Sequence, residues 1–289
     1  MIKIANLLDF IYVLPQYIIP QHSLSRCIFH ITRCQQPLLK MGMIKLFIRY
    51  FNVDMNLARE PEAEAYISFN HFFTRQLKSN LRQVTKDGIA SPVDGTISQI
   101  GTINNTKIIQ AKGKEYDLEQ LLVGNDEMIS LFTNGYFAAL YLAPCDYHRI
   151  HMPVSGRLRK MFYVPGKLFS VSTRTTRAVK GLFARNERVI SLFDTDIGPM
   201  AVIMVGAIFV GSMETVWAGQ ITPSEKSEIT NWSYFNQDNE VLLNQGDELG
   251  RFNMGSTVIL LFGNESIEWL STIQSGSKIT MGSCLGILK

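Results

Sequence analysis

Residues 200–213 read MAVIMVGAIFVGSM and form the strongest apolar run in this chain of 289 residues. The run is rich in valine and isoleucine, and glycines at positions 206 and 211 interrupt it. It is shorter than the eighteen or more apolar residues that a membrane-spanning helix needs. Because branched side chains in a short run favour extended backbone, the stretch predicts a buried strand.

Seven further runs of this kind surround the first, separated by turns of glycine, proline, asparagine and aspartate. No helical crossovers lie between them, so the pattern favours antiparallel over doubly wound parallel strands. We expect an α+β fold with a mainly antiparallel β core, like a sandwich or barrel, and a polar loop over residues 223–240. The eight predicted strands cover residues 95–100, 107–110, 137–142, 157–164, 188–193, 200–210, 214–218 and 257–262.

The first eighty residues instead predict helices, over residues 23–36, from Pro37 onward and over residues 61–77. No acidic residue occurs between Phe10 and Val53, and residues 1–60 carry a net charge of +4 from seven basic and three acidic side chains. Basic, apolar helices too short to span a bilayer are typical of an interfacial membrane region. The alternative is a helical subdomain packed on the core, or a dimer face.

The charge and cysteine content exclude other classes of protein. The net charge is only +3, without a basic stripe, which argues against a nucleic-acid-binding protein. The four cysteines form no CxxC pair, which is poor zinc spacing and indicates a reducing compartment. No signal-peptide cleavage site follows the N-terminal apolar residues, so we expect neither export nor a spanning helix.

Two of the five histidines, His148 and His151, lie three residues apart in the segment CDYHRIHMP, residues 145–153. In an extended segment such residues face opposite sides, so the two imidazoles need not share a task. The other three histidines lie in the helical region, and we therefore predict no metal site.

Asp94 and Ser256 occupy two further clusters, SPVDG at residues 91–95 and MGST at residues 254–257. Each is an ordinary turn sequence when taken alone, and Ser256 lacks the GxSxG context of α/β-hydrolases. Together with a histidine they supply the residue types of a hydrolytic triad, although the order along the chain does not show that they meet.

Six segments, in order along the chain, resemble the pyruvoyl-dependent phosphatidylserine decarboxylases of bacteria. The resemblance extends from about residue 69 almost to the end, and Met254 departs from it where bacterial members usually carry leucine. The segments are FFTRQLK at 72–78, SPVDG at 91–95, DYHRIHMP at 146–153, LFARNER at 182–188, ETVWAG at 214–219 and ELGRFNMGST at 248–257.

The resemblance implies a covalent pyruvoyl cofactor made from Ser256. In the family, a serine at this position attacks the carbonyl of the preceding glycine, here Gly255, and the chain is cut between them. That implies a large β chain of residues 1–255 and a small α chain of residues 256–289, which remain together as a heterodimer. The implied domains are a helical, membrane-interfacial region over residues 1–80 and a β-rich catalytic domain over residues 81–289.

The resemblance also assigns roles to the other candidates. His151, oriented by Asp94, is the expected base for self-cleavage, and His148 is the expected acid or base in decarboxylation. The implied reaction converts phosphatidylserine to phosphatidylethanolamine through a Schiff base with the pyruvoyl carbonyl. A peripheral enzyme on the cytoplasmic face of the bacterial inner membrane, commonly dimerised further, is expected.

Two other functions remain open at this point. A serine hydrolase that uses Asp94, His151 and Ser256 on an external ester or peptide would keep an intact chain. A non-catalytic membrane-binding β domain would keep its function without Ser256.

Overall fold

A computed structural model describes residues 2–111, 114–208, 212–223, 227–235, 240–254, 256–264 and 267–288, with backbone alone for residues 2–7. The three longest of the described helices lie at the N-terminus, and the later ones are short. The helices are α1 (Ile2–Ile18), α2 (Gln21–Thr32), α3 (Pro37–Phe51), α4 (Phe69–Phe73), α5 (Leu118–Leu121), α6 (Asp126–Phe132), α7 (Thr173–Ala178) and α8 (Leu182–Arg185).

The described strands pair antiparallel throughout, which confirms the predicted α+β class with a mainly antiparallel core. They are β1 (Ile89–Ala90), β2 (Gly95–Thr102), β3 (Lys107–Ala111), β4 (Lys114–Asp117), β5 (Tyr136–Tyr141), β6 (Arg149–His151), β7 (Gly156–Val164), β8 (Arg188–Thr195), β9 (Gly198–Val205), β10 (Met213–Thr215), β11 (Gly219–Gln220), β12 (Thr230–Ser233), β13 (Leu242–Leu243), β14 (Glu248–Phe252), β15 (Thr257–Phe262), β16 (Ile267–Trp269), β17 (Lys278–Ile279) and β18 (Cys284–Leu288).

The largest described sheet has β15 near its centre. Its order is β12-β7-β8-β9-β15-β5-β2-β17, and β13 also pairs with β7. Thr257 lies opposite Tyr141 of β5 on one side and Val205 of β9 on the other. All six residues of β15 are buried, as expected for a continuous apolar strand covered on both faces. Ser256 therefore immediately precedes a strand that is hydrogen-bonded to a neighbouring strand on each side along its whole length.

A second sheet brings the histidine segment beside the chain that leads to Ser256. Its order is β11-β10-β14-β6, and Glu248 of β14 pairs with His151 of β6. At the other end of β14, the Phe252 amide donates to the His148 carbonyl oxygen over 3.0 Å. The segment that joins β14 to β15 thus starts beside His148, whereas His151 lies beside the first residue of β14. The remaining described sheets are β1-β18-β16 and β3-β4.

Two apolar cores meet near the end of β14. The larger core fills the β-rich part of the chain, and the smaller one joins α3 to α4 through residues such as Ile44, Phe72 and Phe73. Met254, a partly buried residue, packs against both cores. Met254 consequently lies at the junction of the helical region and the β core.

Helix α1 is fixed to the β-rich part by polar contacts. The Arg177 guanidinium donates to both carboxylate oxygens of Asp9 over 2.7 and 2.8 Å, and Gln16 accepts from the Ser170 amide over 2.9 Å. Much of the apolar surface of α1 and α3 nevertheless stays exposed: Leu8, Phe10, Ile11, Tyr12, Leu14, Tyr17, Ile18, Leu38, Leu39, Leu46 and Tyr50.

None of the described helices is both long enough and apolar enough to cross a lipid bilayer.

Four details of the sequence prediction are wrong. The strand predicted over residues 200–210 ends at Val205. The helix predicted over residues 61–77 is a single 3₁₀ turn at Ala63–Ala65 followed by the five-residue α4, because Ser68 caps a new helix by accepting from the His71 amide. The helix predicted to reach residue 36 ends at Thr32. The predicted loop over residues 223–240 contains β12, which pairs with β7.

Candidate active site

Ser256 is fully buried at the start of β15. Its carbonyl oxygen accepts from the Leu142 amide over 3.0 Å, which extends the pairing of β15 with β5 by one residue. Its hydroxyl oxygen has no hydrogen-bond partner within the described part of the chain. A buried hydroxyl without a partner is costly, and among the described residues Ser25, Tyr116, Ser191 and Thr257 have hydroxyls in the same state. The preceding Gly255, the other half of the predicted cleavage site, lies outside the described residues.

His151 is held by hydrogen bonds at both ring nitrogens. Its Nδ1 lies 2.8 Å from the Gly246 carbonyl oxygen, and its Nε2 lies 3.0 Å from the Tyr147 hydroxyl. Because a carbonyl only accepts, Nδ1 carries the proton of the neutral ring and Nε2 accepts from Tyr147. Burial lowers the pKa of His151, and the Gly246 hydrogen bond and the charges of Glu248 and Asp94 act in the opposite direction. The ring is therefore a neutral base with its lone pair on Nε2.

Asp94 is buried and faces a cation. Its carboxylate accepts from Nε and Nη2 of Arg82 over 3.0 and 2.5 Å, and from the Met281 amide over 2.7 Å. The chain next to it is joined to the histidine strand, since the His151 amide donates to the Pro92 carbonyl over 2.9 Å. The fold thus brings the SPVDG segment beside the predicted base.

His148 occupies an apolar environment instead. It is fully buried, Nδ1 lies 2.8 Å from the Asp146 carbonyl oxygen, and the ring packs on Phe73 with centroids 4.2 Å apart. Nε2 has no partner among the described residues. Burial lowers the pKa of His148 to about 3, so the imidazole is neutral at physiological pH.

Two cavities border these residues. A polar cleft of about 330 Å³ is lined by Arg82, Tyr147, Arg149, His151 and Glu248, among others. An apolar cavity of about 640 Å³ lies between the N-terminal helices and the β core, and its lining includes Tyr12, Phe47, Phe73, Leu142 and Met254. Phe73 touches His148, Leu142 bonds to Ser256 and Met254 is two residues from Ser256. The apolar cavity is therefore lined by neighbours of the unpaired serine and histidine, although Ser256 and His148 do not line it themselves.

Of the four predicted site residues, the structure places Asp94 near His151 through the Pro92 carbonyl, His148 beside the end of β14 and Ser256 at the start of β15. Across the described residues, however, no hydrogen bond joins Asp94, His151 and Ser256 to one another. Each of them has a separate local environment.

Comparison with known proteins identifies the family. A family model described as phosphatidylserine decarboxylase matches residues 69–287, and a second, described as PSD, matches residues 11–52. The first model covers well over half of the chain. This chain belongs to the phosphatidylserine decarboxylase family. The resemblance stated from the sequence is confirmed, and so is the expected enzyme class, a decarboxylase.

Curated relatives of the phosphatidylserine decarboxylase family match nearly the full length. A protein of Methylococcus capsulatus is 49% identical over 273 residues, which cover 94% of each chain. One of Nitrosococcus oceani is 46% identical over 285 residues, covering 98% of this chain and 93% of its own. One of Stutzerimonas stutzeri is 48% identical over 284 residues, covering 96% and 94%. Each is named phosphatidylserine decarboxylase proenzyme, and a proenzyme is a precursor that must be processed.

Sequence reasoning missed two of the closest partners of the family's motif residues. Tyr147 lies inside the histidine segment, four residues before His151, and this position was the only signal in the sequence. The hydrogen bond between the two side chains is visible only in the structure. Arg82 lies twelve residues before Asp94 in a polar loop, where nothing in the sequence distinguishes it from other surface cations.

Proposed function

We propose that this chain is synthesised as a proenzyme, cleaves itself between Gly255 and Ser256, and then decarboxylates phosphatidylserine to phosphatidylethanolamine. The observation that carries the proposal is the Ser256 hydroxyl, which is fully buried and unpaired at the start of a central strand. A serine kept for an external ester needs an opening to the substrate in the uncut chain, whereas in this proposal the substrate reaches residue 256 only after cleavage. A serine that attacks its own backbone needs only the neighbouring carbonyl.

Self-cleavage of this kind requires no reactant other than water. The Ser256 oxygen attacks the Gly255 carbonyl carbon, the carbon–nitrogen bond breaks, and the hydroxyl proton ends on the released amine. An ester now joins the two residues. Removal of the α-hydrogen of residue 256 then breaks the bond between Cβ and the ester oxygen, which leaves a Gly255 carboxylate and a dehydroalanine. Tautomerisation and hydrolysis by one water release ammonia and leave a pyruvoyl group at residue 256.

His151 is our proposed base for this self-cleavage. Its neutral ring carries the lone pair on Nε2, the form in which it can accept the serine proton. Asp94 lies on the segment bonded to the His151 backbone and contributes negative charge that favours the protonated ring. In the described structure, Nε2 of His151 is hydrogen-bonded to the Tyr147 hydroxyl. For His151 to act as the base, this hydrogen bond must be replaced by one from the Ser256 hydroxyl.

The pyruvoyl group supplies a carbonyl that forms a Schiff base with the substrate amine and accepts the electrons released as CO₂ leaves. Ser256 is buried and its hydroxyl is unpaired, so a pyruvoyl group made from it would be shielded from bulk water. We assign to His148 the acid–base step at the substrate Cα, because its unpaired Nε2 borders the same apolar environment through Phe73. In the neutral ring the proton is on Nδ1, so Nε2 would first take the proton that the substrate ammonium gives up and would then return it to Cα. The apolar cavity beside Met254 is suited to the lipid acyl chains.

The membrane is the proposed location of the reaction, on the cytoplasmic face of the bacterial inner membrane. The exposed apolar side chains of α1 and α3 support peripheral binding. Cations border this surface, since the Arg174 guanidinium lies 5.4 Å from the ring of Tyr12 and that of Arg185 lies 6.0 Å from the ring of Tyr17. Anionic lipids of the cytoplasmic leaflet attract each such cation by roughly 1 kcal/mol.

The two cleavage products are expected to stay together. The small chain of residues 256–289 would contain β15, which is hydrogen-bonded between β5 and β9 of the large chain. Removing it would expose six buried apolar or branched residues and leave two strand edges unpaired. A heterodimer of the two chains is therefore part of the proposal.

Intact-mass spectrometry of active protein tests the proposal. We expect two chains, residues 1–255 and 256–289, with the small chain lighter by one ammonia than its sequence requires. Borohydride, which reduces ketones, should abolish decarboxylation, and Ser256→Ala should give one uncut, inactive chain. An active preparation with a continuous chain, or with a fluorophosphonate-sensitive serine, would instead support the serine hydrolase.

Variants of the other candidates separate the two stages. We expect Asp94→Asn and His151→Ala to block cleavage. His148→Ala should still be cut but turn over roughly 10²-fold to 10⁴-fold more slowly, the usual contribution of a general acid or base. Normal cleavage in the first two variants would remove the relay, and full turnover in the third would remove the assigned role of His148.

A further inference from the structure

Asn253, two residues before the predicted cleavage site, is 1% exposed and has every backbone and side-chain polar group hydrogen-bonded. Its amide donates to the Ser212 carbonyl oxygen over 3.0 Å, and its Nδ2 donates to the Ser212 hydroxyl and, over 2.9 Å, to Glu214. The two acceptors of Asn253, its carbonyl oxygen and Oδ1, both receive hydrogen bonds from Asn70. Such complete pairing fixes both the backbone and the rotamer of this residue.

Asn70 reaches Asn253 from the helical region. Its Nδ2 lies 2.9 Å from Oδ1 and 3.3 Å from the carbonyl oxygen of Asn253. Asn70 belongs to α4, whose Phe72 and Phe73 pack edge-on against Phe47 of α3. The chain before the cleavage site is therefore tied to a helix 183 residues away in sequence.

A second tie runs to α2 through Ser212 and Glu214. The Arg33 guanidinium donates to the Ser212 hydroxyl over 3.0 Å and lies 3.8 Å from the Glu214 carboxylate. Arg251 lies 3.1 Å from the other oxygen of Glu214. Asn253 is thus hydrogen-bonded directly to Asn70 of α4 and Glu214 of β10. Through Ser212 and Glu214 it is also linked to Arg33, the residue that follows α2.

We propose that Asn253 is a positioning residue for self-cleavage, held by Asn70 on one side and by Ser212 and Glu214 on the other. The inference rests on the proposed function. On the far side of the cleavage site, Ser256 is fixed by the Leu142 amide and by β15. The chain is thus held on both sides of the predicted cleavage site, which limits how far the Ser256 hydroxyl can move from the bond that it would attack.

The step affected is ester formation, in which the bond from the Ser256 oxygen to the Gly255 carbonyl carbon forms and the peptide bond breaks. A reaction between neighbouring groups depends steeply on approach, and misplacement by about 1 Å can cost on the order of 10²-fold in rate. Freeing Asn253 lets the segment adopt conformations in which the oxygen and the carbonyl carbon are apart. Asn253 itself takes no part in bond making.

The test follows cleavage of the full chain in a pulse–chase experiment. We expect Asn253→Ala to slow cleavage by about tenfold or more, and Asn70→Ala to slow it less. The double variant should be no slower than Asn253→Ala, because Asn70 acts through Asn253. Asn125→Ala is the matched control, since it removes an N-cap that accepts from the Met128 amide over 2.9 Å and should leave cleavage unchanged.

Hydroxylamine identifies the step. It cleaves the ester between residues 255 and 256, so the fraction of precursor that it cuts in a short exposure reports how much ester has formed. Asn253→Ala should lower this fraction. A purely structural loss would lower the thermal unfolding temperature of Asn253→Ala and Asn125→Ala alike and slow both.

Four outcomes would overturn the positioning role: wild-type cleavage in Asn253→Ala, ester accumulation in that variant, additive slowing in the double variant, or equal slowing of Asn253→Ala and Asn125→Ala. If the wild-type chain itself stays uncut, the proposed function fails instead, and the two failures are therefore distinguished.

Discussion

The hydroxyl of Tyr147 lies 3.0 Å from Nε2 of His151, and the two rings stack with centroids 5.7 Å apart. On the other side of the imidazole, Nδ1 lies 2.8 Å from the Gly246 carbonyl oxygen. These two hydrogen bonds fix the ring plane and its tautomer. The nitrogen on which a serine proton would arrive is the one that Tyr147 occupies in the described structure.

Tyr147→Phe should slow self-cleavage by about tenfold, because losing one of the two hydrogen bonds that orient the imidazole costs more than freeing Nε2 for the serine gains. The cleavage rate in a pulse–chase experiment measures the effect. Tyr116→Phe is the control, since the Tyr116 hydroxyl is also buried but has no hydrogen-bond partner among the described residues. Equal rates in the two variants would show that Tyr147 does not hold the base for the reaction.

Arg82→Leu should destabilise the folded chain by about 3 kcal/mol, because it leaves the buried Asp94 carboxylate without its cation. The double variant Arg82→Leu/Asp94→Asn should regain part of this loss, since an amide carries no charge to leave unpaired. Urea unfolding in the uncleaved Ser256→Ala background gives both values for a single continuous chain. A double variant less stable than Arg82→Leu would contradict the ion-pair explanation.

The sequence allowed good prediction of the strands because their signal is local. β15 spans 257–262 as predicted, and the runs that gave β5, β7 and β8 agree with the structure to within two residues at each end. The helix predicted over residues 61–77 failed because long-range pairing overrides local pattern there. The Arg59 amide donates to the Gln76 carbonyl, and the Lys78 amide donates to the Leu57 carbonyl, so Leu77, the last residue of the predicted helix, forms an antiparallel bridge with Ala58 instead.

The candidate site divides in the same way. The sequence was sufficient to identify the motif residues, because each belongs to a short segment of consecutive residues that resembles the family. These residues are Asp94, His148, His151 and Ser256. The sequence did not identify their partners, since the contact between Asn70 and Asn253 joins residues far apart in sequence, and nothing local distinguishes either asparagine. Only the packing of α4 on the β core brings them together.

Acid should destabilise the chain partly through His148. Burial lowers the pKa of His148 to about 3 from an ordinary value of 6.5, so between these pH values the unfolded chain binds a proton that the folded chain does not. Stability is therefore fully present above pH 6.5 and is lost as the pH falls towards 3. His148→Leu in the Ser256→Ala background should lose less stability between pH 8 and pH 5 in urea unfolding. An identical loss in both proteins would contradict this assignment.

Ile18→Glu should weaken binding to vesicles that contain anionic lipid, if α1 enters the membrane interface as proposed. Ile18 is 81% exposed at the end of α1, and burying such a side chain contributes about 1.5–3 kcal/mol, equivalent to roughly tenfold or more in affinity. Leu242→Glu is the matched control, because Leu242 is 65% exposed on β13, which pairs with β7 in the β-rich part of the chain. Sedimentation with the vesicles measures both. Equal weakening would indicate a general effect of added negative charge, and unchanged binding of Ile18→Glu would exclude this end of α1 from the contact, so only a selective loss supports the interfacial helix.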